Sequence, residues 1–71
     1  MTWAEHLTWC KERALAYVSK GDLREAWASM KADFGNHDDA YDAGWGVWDA
    51  GLQFAREGNI DAMVEFINGF R

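Results

Sequence analysis

Hydrophobic positions between Ala40 and Glu57 recur at helical spacing and form two adjacent stripes. One stripe consists of small residues and a valine: Ala40, Gly44, Val47, Gly51 and Ala55. The other stripe is larger and mostly aromatic: Tyr41, Trp45, Trp48 and Leu52. A helix that is apolar over so wide an arc requires neighbours on two sides. We therefore interpret this segment as the central helix of a small bundle.

Three glycines, at positions 44, 46 and 51, fall within this predicted helix. Glycine costs about 1 kcal/mol relative to alanine at an interior helical site. We therefore expect either that a side chain would not fit at these positions or that the segment bends there.

The first helix is predicted to run from Trp3 to about Lys20. Thr2 and Glu5 have the spacing of a capping box, in which each side chain satisfies a free backbone N–H of the first turn. Gly21 is expected to end the helix. The apolar stripe of this helix is Trp3, Leu7, Cys10, Ala14, Tyr17 and Val18.

A second helix is predicted from Leu23 to Phe34, with Asp22 as its cap and Gly35 as its end. Its core positions are Leu23, Ala26, Trp27, Met30 and Phe34. Because only one or two residues separate the first two helices, they must form an antiparallel hairpin.

The fourth helix is predicted from Ile60 to about Asn68, after Gly58 ends the central helix. Its expected buried positions are Ile60, Met63, Val64 and Ile67. Residues 69–71 are expected to form a tail. The candidate caps of the central helix are Asn36, Asp38 and Asp39. The sequence thus predicts an all-α fold, a compact four-helix bundle of two antiparallel hairpins, as one domain over residues 1–71.

The segments that begin at Leu15 and Leu52 align at a spacing of 37 residues, each with a helix, a glycine stop, a cap and a second helix. The first segment, with its GD-x-x-x-A turn, resembles a tetratricopeptide-type hairpin, a fold that stacks helix pairs and binds peptides in a groove. The general requirements of helical hairpins explain this echo better than a duplication does.

Composition narrows the classes of partner. The formal net charge is −5, which disfavours direct binding to nucleic acid or to anionic membranes. It permits binding to a basic protein surface, including one that normally holds nucleic acid, although acidity also simply favours solubility. A single cysteine fits a reducing, intracellular location. No apolar run reaches the ~20 residues of a membrane span.

Two groups of residues could carry chemistry. His6 and Cys10 lie four residues apart, a spacing that can place two ligands on a metal, but Cys10 falls on the core stripe. His37 with Asp38, Asp39 and Asp42 could form an acid–base cluster, but these acids more simply cap the start of a helix and face water. We expect no catalytic residue, no metal and no cofactor, and the chain is not expected to be an enzyme.

Five tryptophans exceed what a four-helix domain of this size needs. Trp9, Trp45 and Phe66 fall at the edges of their apolar faces or off them. Exposed aromatic side chains near acids are typical of protein-binding hot spots, although a small bundle also lacks the volume to hide every ring. The candidate partner-binding residues are Trp9, Trp45 and Phe66 with an acidic rim of Asp38, Asp39, Asp42 and Asp49.

Taken whole, the chain resembles small helical proteins of tailed phages and prophages, mainly those of actinobacteria. The residues that carry this resemblance are Arg13-Ala14-Leu15, Gly21-Asp22, Ala28-Ser29-Met30, Asp33, Asn36-His37, Gly44, Gly51, Met63 and Phe66-Ile67-Asn68-Gly69-Phe70. The resemblance implies a phage origin and a role in the cytoplasm of the infected host, and it implies no particular activity.

We therefore expect an acidic phage-type interaction module that binds a host protein and inhibits or redirects it. Host takeover or anti-defence, such as inhibition of a CRISPR effector, would be its role. The alternative is a self-associating structural or accessory phage protein, a homodimer whose aromatic faces meet and which has no host target.

Overall fold

The computed structural model describes all residues from Met1 to Arg71 and contains four helices and no strand. The helices are α1 (Trp3–Ser19), α2 (Leu23–Phe34), α3 (Trp45–Glu57) and α4 (Ile60–Asn68). The Cα radius of gyration is 11.2 Å, close to the value of about 11 Å expected for a folded domain of this length. The predicted all-α four-helix bundle is confirmed.

Local capping explains where α1 begins. The Thr2 backbone N–H donates to Glu5 Oε1 at 3.0 Å, and the Glu5 N–H donates to Thr2 Oγ1 at 3.1 Å. Together these bonds form the predicted capping box. The backbone N–H and the side-chain hydroxyl of Thr2 lower the pKa of Glu5, because hydrogen bonds from them stabilise its carboxylate form.

Two glycine turns close the two hairpins. Gly21 has φ +77° and Gly58 has φ +67°, conformations that residues with a side chain rarely adopt. Asp22 and Asn59 then cap the following helices by accepting hydrogen bonds from Glu25 N and Ala62 N. The two turns lie side by side, because residues 21–24 share one cleft with Ala55, Gly58 and Ile60. Both antiparallel hairpins are thus as predicted.

The start of α3 differs from the prediction. The helix begins at Trp45 rather than near Ala40, and Gly44 is its N-cap with φ +92° and no side-chain cap. The predicted caps Asn36, Asp38 and Asp39 were therefore wrong. Instead Asp42 Oδ1 accepts a hydrogen bond from Gly44 N at 2.9 Å and shapes the turn before the helix.

Tyr41 explains why the helix does not extend further back. Its ring lies 5.3 Å from that of Phe34 and 5.8 Å from that of Trp3, and its hydroxyl donates to the backbone oxygen of Arg71 at 2.8 Å. These contacts draw residues 40–44 across the end of the bundle. Their tertiary packing outweighs a helical spacing that Gly44 and Gly46 already weaken.

The arrangement of the four helices also differs from the prediction in one respect. As predicted, α3 has neighbours on two sides, which are α2 and α4. Two helices, however, contact all three others, namely α2 and α4, whereas α1 and α3 do not pack against each other. The four helices therefore form a ring in chain order, closed by α1 against α4, with α2 and α4 touching across its middle.

The core follows the predicted stripes of α1, α2 and α4 with two exceptions, whereas Tyr41, Trp45 and Val47 of the α3 stripes are exposed. The buried hydrophobic residues are Leu7, Cys10, Ala14, Val18, Leu23, Ala26, Met30, Phe34, Trp48, Ala55, Met63, Ile67 and Phe70. Ile60 was predicted to be buried but is 52% exposed, because it stands at the first position of α4 beside the turn. Phe70 was assigned to a tail but is buried against the rings of Phe34 and Trp48, each at 5.0 Å.

Candidate functional site: an apolar groove in the acidic half

Exposed apolar side chains concentrate where the chain enters α3. Trp45 is 75% exposed, Tyr41 50% and Val47 42%. The remaining exposed large residues are dispersed, with Met1 and Trp9 at α1 and Ile60 beside the opposite turns. Single exposed apolar residues are ordinary on a protein surface, whereas a contiguous group marks a candidate binding site.

A groove of about 330 Å³ opens beside this group. It lies between the start of α3 and the end of α4, and the connection before α3 forms one wall. Its lining residues are Tyr41, Ala43, Val47, Glu65, Phe66, Gly69 and Phe70. The hydrogen bond from Tyr41 to the Arg71 carbonyl ties the connection to the C-terminal residues and so fixes the shape of this wall.

Phe66 forms the floor of the groove because of Gly51. A Cβ built on Gly51 would lie 2.8 Å from Phe66 Cε1 and closer still to Cζ, so only glycine lets the ring lie against α3. The ring also meets those of Phe70 at 5.1 Å and Trp48 at 6.1 Å, both edge to face. The expectation that a side chain would not fit holds for Gly51 and not for Gly46, around which there is open space.

The three predicted aromatic anchors do not form one surface. Phe66 is half-buried and presents only part of its ring to the groove. Trp45 lies on the first turn of α3 but towards α2, where Lys31 Nζ is 5.5 Å from its ring centroid. Trp9 lies on α1, which does not contact α3, and the Arg13 guanidinium covers it at 4.8 Å. Trp45 and Phe66 therefore flank one end of α3, and Trp9 is remote.

The four predicted rim acids are all exposed. Asp38, Asp39 and Asp42 lie in the connection between α2 and α3, and Asp49 lies on α3 itself. Asp42 and Asp49 share no helical face, because Asp42 precedes the helix. None of these acids is paired with a base, since the single salt bridge joins Arg13 Nε to Asp33 Oδ2 at 2.8 Å.

Charge is divided between the two halves of the chain. Residues 1–31 contain four acids and five bases, whereas residues 32–71 contain eight acids and two bases. No lysine or arginine occurs between Lys31 and Arg56. Every residue that lines the groove belongs to the acidic half. Glu65, in the wall of the groove, is an acidic site residue that reasoning from helical stripes did not identify.

The residues that could carry chemistry form a separate cluster at α1. His6 is buried, and its Nε2 lies 2.7 Å from the backbone oxygen of Asp33 and 3.4 Å from Cys10 Sγ. The carbonyl can only accept, so Nε2 carries the proton. The His37 ring lies 4.9 Å from that of His6, accepts at Nδ1 from the Asp39 N–H and donates from Nε2 to the Met1 carbonyl.

This arrangement ties segments of the chain together. His6 joins α1 to the end of α2, and His37 joins the following connection to the N-terminus. No group of three or more His, Cys, Asp or Glu side chains is placed to hold a metal ion. Burial raises the pKa of the Cys10 thiol to about 11, and the nearby Asp33 carboxylate adds to the rise. The thiol is therefore protonated, and a poor nucleophile, at neutral pH.

Because of the Cys10 thiol, we expect the free energy of unfolding to fall in alkaline solution. Its pKa rises from 9.0 to about 11 on folding, so the unfolded chain loses the proton first as the pH increases. The stabilisation is complete below about pH 9 and is lost between pH 9 and 11. Urea unfolding across this range should show a steeper loss for the wild type than for Cys10→Ala. Parallel curves for the two proteins would contradict the assignment.

Comparison of the chain with known protein families, curated proteins and solved structures finds no match. None of the four helices combines the length and the apolar character needed to cross a bilayer. What the protein does is therefore inferred from the groove, its exposed side chains and its charge.

Proposed function

We propose that this protein is an interaction module that binds a host protein and inhibits or redirects it, in the cytoplasm of a phage-infected cell. The observation that carries the binding role is the group of exposed Tyr41, Trp45 and Val47 beside an apolar groove. Tryptophan and tyrosine supply much of the energy of protein interfaces. The host and phage setting comes from the sequence resemblance, and host takeover or anti-defence is the role we infer from it.

The groove favours a protein partner over the other classes. Its surroundings are acidic and would repel the phosphates of nucleic acid. A basic protein surface, including one that normally holds nucleic acid, complements this charge. We further propose that the module acts without catalysis and without a cofactor, because the Nε2 atoms of both histidines are hydrogen-bonded to backbone carbonyls and the Cys10 thiol is held protonated.

Trp45→Ala tests the binding role. We expect the partner captured by the wild-type protein from an actinobacterial host lysate to bind this variant at least about thirtyfold more weakly, the effect of losing an interface hot spot. Ile60→Ala is the matched control, because Ile60 is also exposed but lies at the opposite end of the bundle. Quantitative binding of the recovered partner to both variants is the measurement.

Two outcomes would count against this function. One is the recovery of no specific partner at low or moderate salt. The other is a tight homodimer in sedimentation equilibrium that Trp45→Ala dissociates and Ile60→Ala does not. That result would show that the exposed side chains serve self-association, as a structural or accessory protein would use them.

A further inference from the structure

We propose that the groove receives a cationic segment of the partner protein, with one bulky apolar side chain inserted between α3 and α4 and flanked by lysine or arginine. This inference rests on the proposed function and specifies the chemistry of the partner. It also places the centre of the interface at Tyr41, Val47 and Phe66, on the α4 side of α3, so that Phe66 is the one predicted anchor at the centre.

The size of the groove limits what can enter it. Its volume of about 330 Å³ is at the lower end of the range of ligand pockets, which runs from about 300 to 1,000 Å³. One or two large side chains fit such a volume. The floor is apolar, formed by Phe66 and Phe70, and the walls are Tyr41, Ala43 and Val47. An aliphatic or aromatic side chain is therefore the complementary occupant.

The charge around the groove selects the residues that flank this side chain. Glu65 is part of the wall, and Asp42 follows Tyr41 directly in the connection before α3. Both are exposed and neither forms a salt bridge. Their carboxylates are therefore free to pair with cations of a partner at the rim, where such charges raise the association rate and set specificity.

Two bases lie near the groove, and neither forms a salt bridge with these acids. Lys11 Nζ donates to the backbone oxygens of Phe70 at 2.6 Å and of Asn68 at 3.0 Å, so this cation stabilises the end of α4. Arg71, whose carbonyl accepts from Tyr41, is the one other base at this end of the chain. Both bases keep their charge, so the attraction for a cationic segment comes from the excess of acids in residues 32–71, which have eight acids and two bases.

Selection of binding peptides tests this inference without knowledge of the partner. The probe is a library of random peptides of about 14 residues, four helical turns, displayed on yeast and selected on the wild-type protein. We expect the selected peptides to be enriched in lysine and arginine around one or two large apolar residues. We also expect them to perturb the amide and side-chain resonances of Tyr41, Val47 and Phe66.

Two matched substitutions test the groove itself. Val47→Trp fills it, and Ile60→Trp adds the same ring at an exposed aliphatic position on the opposite end of the bundle. The selected peptides should bind Val47→Trp about tenfold more weakly and Ile60→Trp as tightly as the wild type. Both positions are exposed on helices, and circular dichroism confirms that each variant is folded before binding is compared.

A second pair of variants tests the charge. Asp42→Asn with Glu65→Gln removes two acids at the groove, and asparagine retains the oxygen that accepts from Gly44. Glu12→Gln with Glu25→Gln removes two exposed acids from the first hairpin. At low ionic strength the first pair of substitutions should weaken the binding of the selected peptides by up to about fivefold per charge. The second pair should have little effect on their binding.

The outcomes separate this inference from the proposed function. If the selected peptides were neutral or acidic but failed to bind Val47→Trp, the assignment of a cationic ligand would be overturned. If they bound Val47→Trp as tightly as the wild type, the assignment of the groove as their binding site would be overturned. A library that yields no binder, although a host protein is captured, would show that a short segment is not the ligand. A wild-type dimer that Val47→Trp converts to a monomer would identify a second copy as the occupant. In each case the capture experiment with Trp45→Ala decides the proposed function independently.

Discussion

Replacing Phe70 by alanine is expected to lower the free energy of unfolding by about 3–5 kcal/mol. Its side chain is 7% exposed, and its ring lies 5.0 Å from those of Phe34 and Trp48 and 5.1 Å from that of Phe66. The ring closes the end of the bundle where Tyr41 also packs. A domain of this length has a total stability of roughly 4–11 kcal/mol, so the loss is a large fraction of it.

The neighbouring residue supplies the control for this experiment. Arg71 is exposed, and its only bond is made by its backbone oxygen, which Arg71→Ala retains. Urea unfolding followed by circular dichroism should therefore show a large fall in midpoint for Phe70→Ala and a small change for Arg71→Ala. The near-ultraviolet signal of Trp48, which stacks on Phe70, should decrease in the first variant only. Equal midpoints for the two variants would mean that residues 69–71 are not part of the core.

A comparison of α4 with the residues that follow it shows where helical periodicity stops predicting burial. Met63 and Ile67 fall on the predicted stripe and are completely buried. Phe70 lies beyond the helix, which ends at Asn68, so the spacing that locates Met63 and Ile67 could not locate it. One signal was available, because an apolar residue just after a helix-ending glycine commonly folds back onto the helix.

The start of α3 shows the opposite error, because periodicity predicted helix at residues that are not helical. Ala40 and Tyr41 match the helical spacing of the stripes, yet residues 40–44 are not helical. Gly44 adopts φ +92°, and the contacts of Tyr41 with Phe34 and Trp3 hold the connection across the end of the bundle. Those contacts join residues distant in the sequence, and the pattern of a single segment does not contain them.

The candidate site was only partly predictable, because it also depends on contacts between residues that are distant in the sequence. Trp9 and Trp45, placed by helical spacing at the edges of their apolar faces or off them, are both exposed. They placed Tyr41 and Val47 on stripes expected to pack inside the bundle, whereas both are exposed and line the groove. The groove exists only where the connection, the start of α3 and the end of α4 meet. The unequal distribution of acids between the two halves, by contrast, can be read directly from the sequence.

Gly51→Ala is expected to lower the free energy of unfolding by about 1–3 kcal/mol. The new Cβ would occupy the space of the Phe66 ring, which also packs on Trp48 and Phe70 and so cannot withdraw freely. This cost exceeds the gain of up to about 1 kcal/mol from replacing glycine in a helix. Gly46→Ala, on the same helix, adds a Cβ that would meet no atom within 4 Å and should show that gain alone.

A double-mutant cycle with Phe66→Val isolates the contact. Valine is too short to reach Gly51, so in that background Gly51→Ala should change sign and raise the free energy of unfolding, as Gly46→Ala does in the wild type. A coupling free energy of at least about 1 kcal/mol is expected between positions 51 and 66 and none between 46 and 66. If Gly51→Ala were stabilising in the wild type, Phe66 would move at little cost. The floor of the groove would then be adaptable, and its shape could not select the side chain that enters it.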